Sequence, residues 1–289
     1  MTSNPPDTEE PTELVLRDLD DAGVLTLTWN RPHRRNGWNP DLENAYFRAL
    51  DEAADDPAVR AIVVTGAGKA FCPGVDMQRL AGLTARPMNL AGRRPHHHAR
   101  GIPKPMIAAI NGACAGVGLI QALLCDVRFA ASGARFATSF SRRGLPAERG
   151  ISWLLPRLTG VENALDLLLS GRTVDAAEAK GLGLVSRVLP ADEVLAAAQA
   201  YARDLAVNSS PQAMAVIRRQ VLADLEADFA TAYDRSLNAM AALTAHPDFG
   251  EGVASFTERR PPRFAPLPAG LDPEVLLAKP QPTTEGDAR

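Results

Sequence analysis

The chain has 289 residues and carries 31 basic against 34 acidic side chains, which gives a formal net charge of −3. This length is sufficient for a domain with a substantial buried core, and a hydrophobic content of 46% excludes a disordered chain. The near balance of charge argues against a dedicated nucleic-acid binder or a protein that binds membrane surfaces.

Cysteine content and the N-terminal segment bear on the cellular compartment in which we expect the protein. The three cysteines, Cys72, Cys114 and Cys125, are an odd number, which argues against a disulfide framework. The first eleven residues are polar, acidic and rich in proline, unlike a secretory or transit signal. We therefore expect a cytoplasmic protein in which residues 1–11 form a disordered tail.

The N-terminal half alternates short apolar strands with helical segments. Strands are predicted at residues 14–17, Val24–Trp29 and residues 61–65. A helix is predicted to begin at Pro40, with Asn39 as its N-cap. The short connections favour a single α/β core of stacked strand-strand-helix units.

Residues 106–125 contain no charged side chain over 20 positions, which is long enough for a membrane span. However, Asn111, Gly116 and Gly118 interrupt the stretch. We therefore interpret it as a buried strand, Met106–Ile110, followed by a glycine-rich turn and a buried helix.

From about residue 191 the chain is rich in alanine, leucine and arginine with helical periodicity. Ser210 followed by Pro211 is typical of a helix start. We expect three regions beyond the N-terminal tail: a core over 12–200, a helical region over 201–265 and a proline-rich tail over 266–289.

Two glycine-containing turns each follow a predicted buried strand. The first, GAGKAFCPGVDM at 66–77, does not match a phosphate-binding P-loop, because alanine follows Lys69. The second, NGACAGVG at 111–118, precedes an apolar helix whose first N–H groups have no partner within the helix. Two such turns can direct two backbone N–H groups at one oxygen atom, as in an oxyanion hole. A plain tight turn and close helix–strand packing are the respective alternatives.

Five sequence blocks stand in a distinctive order: Asn30-Arg31-Pro32 with Asn36, and the segments at 59–77, 104–119, 170–188 and 251–264. Together they resemble the crotonase superfamily, the enoyl-CoA hydratase/isomerase family, over about residues 14–264. The resemblance implies an α/β, crotonase-like spiral of ββα units and a C-terminal helical region that forms a homotrimer or a dimer of trimers. It implies a coenzyme A thioester as substrate, with no further cofactor and no metal.

In this family two backbone N–H groups hold the thioester carbonyl while it becomes an enolate. The resemblance places these groups at Val75 in the first turn and at Val117 in the second. Many relatives have glycine at the second position, so a valine there narrows the pocket.

The resemblance also implies contacts to coenzyme A. The candidates are Arg34 or Arg35 in the loop before the first helix, and Gln78, where relatives often have a phosphate-binding lysine. Phe256 and Arg259 match an aromatic and a basic residue that reach the adenine and phosphates, typically from a neighbouring subunit. A surface aromatic packed against a solvated arginine is the alternative for this pair.

The chain departs from the hydratases of the family, which hold one water between two glutamates. At those two positions it has Ile120 and Phe140, and neither side chain can activate water. We therefore do not expect the two-glutamate mechanism. We expect these two residues and Trp153 to line the acyl pocket instead.

One carboxylate remains, Glu148, in the segment GLPAERG at 144–150. Isomerases and some other family members have an acidic residue at this place. A single carboxylate can move a proton from C2 to C4, because the same group removes and returns it. The alternative is a helix-start carboxylate, or a partner of Arg149 or Arg157.

Three consecutive histidines, His96, His97 and His98, precede the third block, which begins at residue 104. A metal site is not favoured, because consecutive side chains point in different directions and lack the i, i+4 spacing of a zinc helix. His97 lies where a few relatives have a working histidine, which implies a substrate contact. A solvated loop is the alternative.

These residues favour enoyl-CoA isomerisation with Glu148 as the sole acid/base. Three alternatives stay open: an enoyl-CoA hydratase with an atypical site, a thioester hydrolase assisted by His97, and a non-catalytic acyl-CoA-binding scaffold.

Overall fold

Two sheets form the centre of the computed structural model, which describes residues 11–76 and 94–277. The first sheet contains, in spatial order, β1 (Val15–Leu19), β2 (Val24–Trp29), β3 (Ala61–Gly66), β5 (Met106–Ile110), β7 (Val127–Ala131) and β10 (Arg187–Leu189). The second contains β4 (Ala70–Cys72), β6 (Ala113–Ala115), β8 (Arg135–Ala137) and β9 (Thr173–Asp175).

From β3 to β8, successive strands enter the two sheets alternately, so that β3, β5 and β7 are each followed by a strand of the second sheet. Neighbours from β2 to β10 pair in parallel, as do β4, β6 and β8. The pairs β1–β2 and β8–β9 are antiparallel. Each pass of the chain therefore adds one strand to each sheet, which is the spiral of ββα units expected from the sequence.

Helices follow and cover the strands. They are α1 (Pro40–Asp55), α2 (Val117–Leu124), α3 (Ile151–Thr159), α4 (Val161–Ser170), α5 (Ala176–Gly181), α6 (Val194–Asn208), α7 (Pro211–Asp224), α8 (Phe229–Thr244) and α9 (Pro247–Glu258). Short 3₁₀ turns lie at Pro32–Arg34, His96–Gly101, Ser141–Arg143 and Pro273–Leu277.

Local signals in the sequence predict several of these elements correctly. The Asn39 side chain accepts a hydrogen bond from Leu42 N–H at 2.8 Å, and Ser210 accepts one from Ala213 N–H at 3.0 Å, so both caps form. The uncharged stretch at 106–125 forms β5, β6 and α2. In the parts of the chain described here, no helix has both the length and the apolar character needed to cross a membrane.

Two regional boundaries differ from the prediction. Helix α6 continues through residue 200, where the core was expected to end, and its buried face is one row of side chains, Val194, Ala198, Ala202 and Ala206. This row packs in the main core cluster, so α6 belongs to the core.

The proline-rich segment is also partly packed. Leu267 is buried, and Leu277 at the end of the last 3₁₀ turn contacts a small cluster with Val216 and Ala239. Burial of these apolar side chains fixes this part of the predicted tail against α7 and α8, while residues 278–289 lie outside the described range.

Candidate active site

The first glycine turn is held by the loop that precedes α1. Trp38 N–H donates to Gly74 O at 2.8 Å, and Trp38 O accepts from Asp76 N–H at 3.0 Å. These two bonds flank Val75 and leave its N–H without a protein acceptor among the described residues. Gly74 has a φ of +116°, a conformation that side chains disfavour.

Asn36, from the first sequence block, ties the same loop to the start of β4. Its side-chain oxygen accepts from Arg31 N–H at 2.9 Å, and its amide nitrogen donates to Ala70 O at 2.8 Å. Asn36 is fully buried, so these bonds are shielded from water. The loop is thereby fixed at the position from which Trp38 reaches the turn.

The second turn ends at the N-terminus of α2. Gly116, with a φ of +51°, donates its N–H to Ala137 O at 3.1 Å, and its carbonyl accepts from Ile120 N–H at 3.1 Å. Val117 is the first residue of the helix, and its N–H has no acceptor among the described residues. An N–H at this position has no partner in its own helix and lies at the positive end of the helix dipole.

The two turns lie directly against each other. A Cβ placed on Gly116 would lie 3.6 Å from Gly74 Cα, and one placed on Gly74 would lie 3.4 Å from Ala115 O. The strands that lead into the turns, β4 and β6, are paired neighbours. Two backbone donors without protein acceptors therefore belong to adjacent turns, an arrangement suited to binding a single oxygen atom.

Close packing of α2 depends on a second glycine. A Cβ on Gly118 would lie 2.1 Å from Cys72 O, so only a residue without a side chain lets α2 pack this closely on β4. The alternative of close helix–strand packing therefore applies to Gly118, while Gly116 forms the turn itself.

Apolar side chains surround the second turn. Val117, Ile120 and Phe140 are buried in the same core cluster. None of these three side chains can accept or donate a proton, so a proton carrier for this site must come from another position.

Glu148 lies in the turn before α3, where its carbonyl oxygen accepts from Ile151 N–H at 3.0 Å. Its side chain is one-fifth exposed, and its Oε2 lies 3.6 Å from Nη1 of Arg149. Of the two alternative partners named from the sequence, Arg149 is therefore in contact, whereas Arg157 stacks on Trp153.

The prediction that Trp153 lines the acyl pocket is not supported by its position. Its ring lies between Arg100 and Arg157, whose guanidinium carbons are 4.6 and 3.9 Å from the ring centre. Trp153 lines an apolar groove together with Leu124, the last residue of α2. Val117 is the first residue of that helix, so the groove and the proposed donor lie at opposite ends of α2. Arg157 follows Trp153 by one helical turn and holds the indole by a cation–π contact.

The histidines point in different directions, as their consecutive positions predict. They lie in a 3₁₀ turn with about three residues per turn, so successive side chains diverge. His97 is exposed and faces a polar cleft with Arg219 and Glu226. The structure thus directs His97 at α7, and it is His96 that approaches α2.

His96 belongs to a buried polar network that sequence reasoning missed. Its Nε2 lies 2.9 Å from Glu43 Oε2, and that oxygen also accepts from Trp38 Nε1–H at 2.9 Å. Its Nδ1 lies 3.2 Å from Nε2 of Gln121 on α2. Glu43 is 2% exposed and Gln121 is 1% exposed.

The sequence does carry a signal for Glu43. This carboxylate lies four and seven residues before Phe47 and Leu50, so it falls on the buried face of the amphipathic helix α1. Charged side chains are almost never fully buried unless they are paired, so an acidic residue on that face indicates a buried partner.

The predicted coenzyme A contacts lie at the surface. Arg35 is exposed and Arg34 half-buried in the loop before α1. Phe256 is 86% exposed near the end of α9, and Arg259 caps that helix with a φ of +54°. Gln78 lies outside the described residues.

The cysteines beside the two turns are unsuited to nucleophilic catalysis. Cys72 and Cys114 are opposite each other on β4 and β6, and both are fully buried. Burial raises the pKa of Cys72 to about 12 and that of Cys114 well above its usual value. Both thiols therefore stay protonated near neutral pH.

Known proteins share this architecture. The family model for enoyl-CoA hydratase/isomerase proteins matches residues 20–266. A crystal structure from Mycobacterium abscessus, described as a probable enoyl-CoA hydratase/isomerase, superposes with a TM-score of 0.82 at 34% identity, over 88% of this chain and 99% of that one. This likeness confirms the predicted fold class.

Relatives differ in the reaction that their names give. A protein described as a probable enoyl-CoA hydratase of Mycobacterium bovis is 38% identical over 88% of this chain and 97% of its own length. The 1,2-epoxyphenylacetyl-CoA isomerase of Escherichia coli is 33% identical over 87% of this chain and 98% of its own length.

We expect Gly118→Ala to destabilise the protein by about 3 kcal/mol, the upper end of the usual cost of overpacking, because its Cβ would overlap Cys72 O and push α2 away from β4. Gly133→Ala is the matched control, since a Cβ at Gly133 meets no atom within 4 Å. Urea unfolding followed by circular dichroism measures both. Equal unfolding free energies for the two variants would contradict the packing role of Gly118.

Proposed function

Because the chain belongs to the enoyl-CoA hydratase/isomerase family, we propose that it binds an acyl-CoA thioester and stabilises its enolate with two backbone N–H groups, those of Val75 and Val117. One observation carries this proposal: both donors lack a protein acceptor in the described chain, and they belong to turns in direct contact. The position of Val117 at the start of α2 adds the positive end of a helix dipole.

The donors act where charge develops. When the C2 proton leaves, its bonding electrons move into the C1–C2 bond and the carbonyl electrons move onto the thioester oxygen. Hydrogen bonds to that oxygen strengthen as it becomes negative, so they stabilise the enolate more than the bound substrate. Loss of one such donor typically lowers turnover by about 100- to 1,000-fold.

For the reaction itself we propose isomerisation of a 3-enoyl-CoA to a 2-enoyl-CoA. The Glu148 carboxylate takes the C2 proton, a dienolate forms, and the same proton returns to C4 while the double bond moves to C2–C3. Ile120 and Phe140 are buried and apolar, so they offer no second acid or base for adding water. The ion pair with Arg149 restrains the Glu148 side chain in the turn before α3.

The relative named as an isomerase acts on an epoxyphenylacetyl-CoA by its name, so it supports an isomerisation of an acyl-CoA in general and not double-bond migration in particular. The relative named as a hydratase keeps hydration as the second candidate. Hydrolysis assisted by His97 receives less support, because His97 faces the cleft beside α7.

We expect hydration of crotonyl-CoA to be slow. General acid and base groups each contribute roughly 100- to 10,000-fold, and both hydratase positions are apolar here. The loss of absorbance of the conjugated thioester, followed with the purified enzyme, measures the rate. Turnover comparable to that of a two-glutamate hydratase assayed alongside would contradict the isomerase proposal.

We expect Glu148→Gln to lower isomerisation of 3-hexenoyl-CoA by at least about 100-fold, because the amide keeps the shape of the side chain but cannot take up the proton. Affinity for coenzyme A, measured by calorimetry, should be unchanged. Glu162→Gln makes the same change of charge at an exposed position of α4 and should keep full activity. Wild-type turnover of Glu148→Gln would show that Glu148 is structural.

We further propose that the chain assembles as a trimer or a dimer of trimers. Helices α7, α8 and α9 expose large apolar side chains, and exposed apolar surface is typical of sites of protein–protein contact. They include Ile217, Val221, Phe229, Tyr233, Met240, Phe249, Val253 and Phe256, each more than half exposed.

Light scattering at micromolar concentration should therefore give a mass of about 92 kDa or about 185 kDa, three or six times the 30.8 kDa of the chain. Phe229→Asp places a charge in the exposed apolar region and should lower this mass. A wild-type mass near 31 kDa would contradict the trimer.

A further inference from the structure

The two N–H groups of the proposed oxyanion hole are joined by a chain of buried side chains. We propose that Glu43 is a positioning residue that sets the distance between these donors through Trp38 on one side and through His96 and Gln121 on the other. This inference rests on the proposed function, because it assigns Glu43 a role toward the same pair of donors.

The first branch runs from Glu43 to Val75. Glu43 Oε2 accepts from Trp38 Nε1–H at 2.9 Å, which fixes the indole from α1. The indole also packs edge-to-face on Trp29 and Tyr46, at ring-centre distances of 5.3 and 5.9 Å. Since the backbone of Trp38 forms the bridge that flanks Val75, a shift of the indole moves the first donor.

The second branch runs from Glu43 to Val117. The amide nitrogen of Gln121 can only donate, so His96 Nδ1 is the acceptor, and the ring proton lies on Nε2 and is donated to Glu43. Gln121 follows Val117 by four residues on α2, so the two lie one turn apart on the same helix face. The carboxylate on α1 therefore holds the helix that carries the second donor.

Burial makes this linkage rigid. The side chains of His96 and Glu43 are 9% and 3% exposed, so water cannot readily replace a broken bond. Removing one member leaves buried polar groups without partners, which costs far more than the net gain from forming the bonds. The bonds from Trp38 and His96 end on the same oxygen of Glu43, so a glutamine can keep these two with its one carbonyl oxygen, whereas a leucine keeps neither.

The chain contains a matched control on the same helix. Asp51, eight residues after Glu43, contacts His98 Nε2 at 2.6 Å and also pairs with Arg94. In the described part of the chain, the hydrogen bonds of its carboxylate join α1 only to these two residues. Asp51→Leu therefore removes a similar carboxylate–histidine pair without touching either donor.

The test is the infrared carbonyl band of butyryl-CoA labelled with ¹³C at the thioester carbonyl, measured free and bound to the full-length enzyme. Hydrogen bonds to the oxygen weaken the C=O bond, so binding to the wild type should shift the band to lower frequency. Glu43→Leu should lose at least about half of this shift, and turnover of 3-hexenoyl-CoA should fall about 10- to 100-fold with little change in KM. Glu43→Gln and Asp51→Leu should keep the wild-type shift.

A second variant covers the case in which Glu43→Leu does not fold. Trp38→Phe removes the indole N–H of the first branch together with part of the ring packing that fixes Trp38, and should also reduce the shift. A wild-type shift in Glu43→Leu, or in Trp38→Phe if only that variant folds, would overturn the positioning role while leaving the oxyanion hole intact. An equal loss in Asp51→Leu would overturn it too, because the effect would then be a general loosening of α1. A wild type that binds butyryl-CoA without any shift would instead contradict the proposed function.

Discussion

The close approach of Gly74 to Gly116 is the contact on which the rest of the site depends. Both glycines have positive φ values, +116° and +51°, which side chains disfavour, and a side chain on Gly118 would force α2 away from β4. The ββα spiral makes this approach possible, because each pass of the chain lays one strand of the second sheet beside the previous one. The site is thus built mainly from backbone, and its two donors need no particular side chain at their own positions.

Long apolar elements could be predicted from the sequence, and short ones could not. Strands β2 and β5 have the predicted bounds, and α1 begins at the predicted proline behind its asparagine cap. The strands of the second sheet, such as β4 and β6, have three residues each, too few to show a period in the sequence. Their pairing arises from the spiral itself, which only the three-dimensional structure shows.

In the candidate site, the positions of the backbone donors could be predicted from the sequence, whereas the directions of several side chains could not. The turns at Val75 and Val117 follow from glycine positions and from the family resemblance. The directions of His97 and Trp153 do not, because a 3₁₀ turn sends one histidine to α7 and its neighbour to α2, and a stacked arginine holds the indole in another groove. Glu43 was detectable only as a carboxylate on an otherwise apolar helix face. Its partner His96 lies 53 residues further along the chain and Gln121 a further 25, separations that local patterns cannot connect.

We propose that this enzyme removes the C2 proton of an acyl-CoA while two backbone N–H groups hold the thioester oxygen. Incubation of butyryl-CoA with the enzyme in D₂O tests it most directly, because a saturated acyl group can be neither hydrated nor isomerised and only enolisation exchanges its C2 protons. We expect the enzyme to catalyse deuterium incorporation at C2, measured by mass spectrometry. Bound butyryl-CoA that exchanges no faster than in buffer alone would contradict it.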